Sequence, residues 1–183
     1  MEYLPGIAVI LAAGAVFFVA FRQAHKARPA VAIGLIVLAG LGLRLYLSWD
    51  LSLHPWDERY HALVAKNMIG HPFEPTLYDD PVLPYDYRNW TENNIWIHKQ
   101  PLPLWAMAGS MAVLGVNEIA ARVPSILLSS LAVLLTYLIG ARLFSRRIGL
   151  LAAFLHSIHG MIIELTAGRL ATDHIDVFFL FFI

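Results

Sequence analysis

Apolar residues run almost unbroken through 3–21, 30–49, 119–140 and 148–167. As a helix, each run is long enough to cross roughly 30 Å of hydrocarbon. A fifth apolar run begins near Ile175 and stops at Ile183, and as a helix it rises only about 14 Å. That predicts a span cut short, and hence the N-terminal portion of a longer protein. Between the second and third runs lies a polar stretch, 50–100, carrying eight of the thirteen acidic residues and Trp56, Trp90 and Trp96. Rings with polar edges settle at headgroup level, so this loop is expected to lie along the membrane. Within it, 57–69 reads as a short amphipathic helix with Tyr60, Leu63, Val64 and Met68 on one face. Pro72, Pro75, Pro81 and Pro84 then impose an extended, turn-rich path.

The run Leu102–Val116 would reach only about 22 Å as a helix. The basic loops decide its placement, because Arg and Lys favour the cytoplasmic side. Arg22, Lys26 and Arg28 form one such loop, and Arg142, Arg146 and Arg147 the other. Both fall inside only if Leu102–Val116 does not span, so it is read as interfacial or re-entrant. The expected fold is therefore an all-α, multi-spanning integral membrane bundle. Its large external loop, 50–118, carries interfacial helices. Residues 1–29 form an additional N-terminal helix with a basic cytoplasmic loop, and 30–183 the beginning of the main module.

Composition supports this frame. The chain is 58% hydrophobic and 14% charged, against about 25% charged in soluble domains. A formal net charge of zero argues against a nucleic-acid partner. The absence of cysteine excludes disulfides, thiolate metal sites and a cysteine nucleophile. Residues 3–21 lack a charged start and precede their basic stretch, which fits a retained helix better than a cleaved leader.

Three polar clusters are candidates for chemistry. The first is Asp57-Glu58, just past the second span. Carboxylates beside lipid are costly unless paired, metal-bound or used. Asp57 could cap the following helix while Glu58 complements its dipole, and a rigidly held carboxylate can also serve as a base. The second is His98-Lys99. Lys99 could meet a lipid phosphate as a compact charge or merely snorkel. His98 could ligate a divalent metal through neutral imidazole, or simply be solvated. The third is Arg169, Thr172, Asp173, His174 and Asp176, at the turn before the last apolar run. There Thr172 or Asp173 could cap a helix, and Arg169 could pair with Asp173 or with Glu164. Arg44 is expected to snorkel from the outer end of its span.

Taken in order, these pieces resemble the membrane-embedded GT-C glycosyltransferases of the protein O-mannosyltransferase and aminoarabinose-transferase group. The likeness rests on Trp56-Asp-Glu-Arg-Tyr60, His98-Lys-Gln-Pro-Leu-Pro-Leu-Trp105 and Val116-Asn-Glu-Ile-Ala-Ala-Arg-Val-Pro-Ser125. The basic Arg142–Arg147 turn and Arg169-Leu-Ala-Thr172 followed by acid complete it, over roughly residues 40–183. The resemblance implies transfer of a sugar, with inversion, from a polyprenyl-phosphate carrier to a hydroxyl acceptor on protein, lipid or glycan. Asp57 matches the family's catalytic carboxylate, with Glu58 and Asp173 as further catalytic candidates. Lys99 and Arg169 fall where the donor phosphate is held, and some members bind a divalent metal cation close by, for which His98 is the candidate ligand. The family's second-loop acid commonly stands where this chain has His174, so Asp173, His174 and Asp176 all stay open as its counterpart. The implied setting is a bacterial or archaeal plasma membrane, with the site facing outward among membrane lipids. Family members are longer, so this stretch alone is expected to be inactive. The alternatives are a transporter or flippase of lipid-linked sugars, which would want its charges nearer the midplane, and a non-catalytic membrane scaffold.

Overall fold

The computed structural model describes residues 4–89, 91, 93–171 and 174–183 of the chain. Asp173, Thr172 and Trp90, singled out above, lie outside the described residues. Among those described, the regular structure is eight helices with no named strand: α1 (Leu4–His25), α2 (Pro29–Ser48), α3 (Asp57–Asn67), α4 (Pro101–Leu114), α5 (Glu118–Leu143), α6 (Arg146–Ser157), α7 (Gly160–Thr166) and α8 (His174–Phe182). Three of them, α1, α2 and α5, are each long and apolar enough to cross a bilayer.

The boundaries obey local chemistry. Pro29 opens α2 and Pro101 opens α4, at positions where a missing N–H costs nothing. Asn117 caps α5 by accepting from the Ala120 N–H at 2.8 Å, and Ser145 caps α6 by accepting from Ile148 at 3.3 Å. Helix α3 departs from expectation, because Asp57 is its first residue and Trp56 holds the cap position without a side-chain bond. At 14 residues α4 rises about 21 Å, and it packs on α3 and α5.

The spans pack through small residues. Ala13, Ala20, Ala32, Ala39 and Ala153 are buried with Phe17, Ile33, Ile36 and Val133. Without a hydrophobic drive between helices in lipid, small side chains let backbones approach closely. Gly149 takes this to its limit, since a Cβ there would lie 2.6 Å from the Tyr137 carbonyl oxygen on α5. Larger residues such as Ile10, Phe18, Leu38, Leu131 and Leu138 face outward.

Two further expectations are corrected. The run 148–167 is not one straight helix: α6 and α7 meet at a 55° bend around Ile158 and His159. The bend frees the Ser157 carbonyl, which accepts from Arg44 Nη1 at 3.1 Å. Arg44 therefore does not snorkel. It is fully buried, with Nε donating to Ser129 Oγ at 2.7 Å and Nη1 also to the Gly40 carbonyl at 3.0 Å. A guanidinium that caps a broken helix and ties α2 to α5 and α6 gains partners that the interface would not supply.

The loop between α3 and α4 folds over both. Asn67 Nδ2 donates to the Thr76 and Leu77 carbonyls at 3.0 and 3.2 Å, and Trp105 Nε1 to the Pro72 carbonyl at 2.6 Å. Beneath it Val64, Met68, Leu77, Trp96, Leu104, Met107 and Met111 form a second core, with Tyr60 and Leu63 packed against it. This core closes one end of the bundle. At the opposite end His25 and Pro29 from the first basic loop line one cavity with Arg146 and Arg147 from the second. Both basic loops thus share one end, and the acidic loop takes the other.

Candidate active site

The site grows from the turn before α3. Trp56 has φ +74°, a rare conformation for a bulky residue, and Glu58, two residues on, holds the turn closed. The Glu58 carboxylate reaches back so that the His54 backbone N–H donates to Oε2 at 2.5 Å and His54 Nδ1 lies 2.9 Å from the same oxygen. One residue along a helix is a rotation of about 100°, so Asp57 and Glu58 point apart.

Glu58 points inward. Its side chain is fully buried, with Arg122 Nε donating to Oε1 at 2.7 Å and Arg122 Nη2 to Oε2 at 3.1 Å. His174 Nε2 lies 3.0 Å from Oε1. Burial alone would raise the Glu58 pKa, but hydrogen bonds from His174 and Arg122, the charge of His174 and the His54 N–H outweigh it, lowering it from 4.5 to about 2. Arg122 uses every N–H it has: its remaining donors meet the carbonyls of Ser48 at 3.0 Å, Asp50 at 2.5 Å and Ser52 at 2.8 Å. One side chain at the start of α5 therefore fixes the end of α2, the linker and α3.

His174 completes the centre from α8. With Nε2–H given to Glu58, Nδ1 faces Ser125 Oγ at 3.2 Å. Gly168 makes room for this packing. Its φ is +72°, and a Cβ would lie 2.5 Å from Glu58 Oε1 and 2.9 Å from His174 Cε1.

Asp57 points to the surface. Lys99 Nζ lies 3.4 Å from its Oδ2, both side chains being about 30% exposed, at 30% and 31%. A second charged line runs along the rim. His54 Nε2 lies 3.1 Å from Asp50 Oδ2, and Arg169 Nη2 lies 3.6 Å from the same oxygen while donating to the Leu47 carbonyl at 3.3 Å. Partial burial pushes the Asp50 pKa up, but the Ser52 hydroxyl, His54, Arg169 and Arg122 bring it below its ordinary value. Among the described residues Arg169 thus pairs with Asp50 and not with Glu164, while Asp173, the other expected partner, lies outside them. A recess of about 530 Å³ beside Asp50 and Arg169 is walled by Leu45, Tyr46, Leu47 and Trp49.

Of the residues expected at the site, Asp57 and Lys99 come together directly. Glu58 and His174 form the buried centre, and Arg169 joins through Asp50 and His54. His98 is exposed, its ring edge-on to Trp96 at 5.5 Å. Among the described residues no group of three His, Asp or Glu side chains is arranged to hold a metal ion. Those side chains do not form a divalent-metal cage. Asp176 is half-buried in the first turn of α8. Asp50, His54 and Arg122 carry the network without having been singled out as candidate site residues, although Arg122 lies within the Val116–Ser125 motif. The available signal for Arg122 was a lone cation in the first turns of an apolar span.

Residues 98–183 match the family model described as dolichyl-phosphate-mannose-protein mannosyltransferase. No curated protein and no solved structure matches the chain. The matched stretch contains Lys99, Arg122, Gly168, Arg169 and His174, while Asp57 and Glu58 precede it. Over those residues the chain is similar to that family, a match that supports a GT-C-like membrane glycosyltransferase.

Proposed function

We propose that the chain carries the site of an enzyme that transfers a sugar from a polyprenyl-phosphate donor to a hydroxyl acceptor with inversion, Asp57 acting as base. The observation that carries this reading is the Asp57–Lys99 pair, partly exposed and standing on a buried ionic centre. The acceptor oxygen attacks the anomeric carbon, and its proton passes to the Asp57 carboxylate. The bond from that carbon to the phosphate oxygen breaks, and its electron pair leaves with the polyprenyl phosphate. Lys99 meets the charge that grows there as a cation already in place where that charge develops. Displacement in one step needs no covalent sugar–enzyme intermediate.

Arg169 is suited to hold the carrier phosphate before reaction, because the recess beside it offers an apolar wall for the first prenyl units. Glu58 is enclosed by four donor groups from His54, Arg122 and His174. We read it as holding Asp57 in place, and Asp173 and Asp176 as the remaining candidates for a second acid. In this reading the acidic end faces outward from the membrane and both basic loops face the cytoplasm, with α1 an addition ahead of the module that starts near residue 30.

Full-length protein in vesicles, supplied with labelled polyprenyl-phosphate sugar, tests the proposal. Label should move to a hydroxyl acceptor, with polyprenyl phosphate released one for one. Movement of intact donor across the bilayer, without acceptor and without release, would contradict it.

A further inference from the structure

The end of the bundle opposite Asp57 carries a feature that sugar transfer does not use. Residues 4–49 and 119–163 contain no Asp or Glu. The loops joining α1 to α2 and α5 to α6, with the helix turns beside them, hold Arg22, Lys26, Arg28, Arg142, Arg146 and Arg147. No carboxylate in either segment can neutralise them, and all six residues are exposed. They do more than share a side. The two loops enclose a cavity of about 420 Å³, lined by Phe21, Ala24, His25, Pro29, Arg146 and Leu150 together with Ala27 and Arg147.

The lining has two chemistries. His25, Arg146 and Arg147 supply donors suited to phosphate oxygens. Phe21, Ala24 and Leu150 belong to α1 and α6, the same helices whose Phe17 and Ala153 form the apolar core of the bundle. The wall therefore runs from the charged rim toward the hydrocarbon. Both α2 and α6 begin at this cavity, so the positive ends of two helix dipoles add to the side-chain charge.

We infer that this cavity binds an anionic phospholipid of the adjacent leaflet, its phosphate between Arg146, Arg147 and His25 and its acyl chain along Phe21 and Leu150. Basic pockets between membrane helices select lipid head groups in this way. A soluble phosphate would use the cations but leave the apolar wall uncovered, so the lipid is the ligand that meets both halves of the site. The inference does not depend on the glycosyl-transfer reading, because no residue is shared with it.

Full-length protein, purified and stripped of lipid, would be titrated with phosphatidylglycerol or phosphatidylcholine, with bound lipid counted by native mass spectrometry and thermal stability measured in parallel. Phosphatidylglycerol should bind at least tenfold more tightly and raise the melting temperature. The Arg146→Gln/Arg147→Gln variant should lose that preference while still accepting phosphatidylcholine as the wild type does. Arg142→Gln removes a cation from the same loop but not from the cavity wall, and should keep it. Equal binding of the two lipids would overturn the inference. So would an equal loss in Arg142→Gln, which would mean diffuse charge only, or stabilisation by inorganic phosphate matching that by lipid.

Discussion

Arg122 Nε stands 2.7 Å from Glu58 Oε1, a bidentate pair across 64 residues of chain with both side chains fully buried. The pair joins the first turns of a membrane span to the helix that carries Asp57. Losing one partner of such a pair leaves the other charge buried and uncompensated, at a cost of about 3–5 kcal/mol. Arg122→Gln and Glu58→Gln should each lower the melting temperature of detergent-solubilised protein strongly. The double variant should cost less than the sum of the two. Additive losses would mean that the groups act independently.

Acid should weaken the same centre. The Glu58 pKa is lowered in the folded state from 4.5 to about 2. Its stabilising contribution is therefore present above 4.5 and is lost as the pH falls from there toward about 2. Asp50 shifts in the same direction and adds to the trend. Melting temperature against pH should fall through this window in the wild type and more gently in Glu58→Gln. Parallel profiles would show that Glu58 is not the group responsible.

Gly168 offers a test by volume rather than charge. An added Cβ meets Glu58 Oε1 at 2.5 Å, on a backbone at φ +72° that disfavours a side chain. Gly168→Ala should destabilise by about 1–3 kcal/mol. Because it wedges Glu58 from His174, it should also slow sugar transfer without altering any charged group. A variant with unchanged stability and rate would indicate that the packing there is loose.

The spans were legible in the sequence because lipid demands a continuous apolar run, and α1, α2 and α5 begin and end within a few residues of the expected limits. The short α4 was placed by the basic loops, and those loops do meet at one cavity. The break between α6 and α7 was not readable. Gly160 is ordinary in a membrane helix, and the group that caps the break, Arg44, comes from another helix. Arg44 itself read as a snorkelling side chain, since its partners on Ser129 and Ser157 exist only after folding. Asp57-Glu58 stood out as a pair, yet which of them turns inward depends on Arg122 and His174, far away in sequence. The charge pattern marks the candidate site, while tertiary pairing separates the exposed carboxylate from the buried one.

The most direct test is the transfer rate of full-length Asp57→Asn protein, compared with wild type at equal folded amounts in the same lipid and with the same polyprenyl-phosphate sugar. Asp57 is about one-third exposed, at 31%, and its Lys99 partner lies at the surface, so the variant should melt close to the wild type. Loss of a general base costs roughly 10²–10⁴-fold, and transfer should fall by at least about 100-fold on that scale. Transfer at near wild-type rate from a folded Asp57→Asn protein would contradict the account.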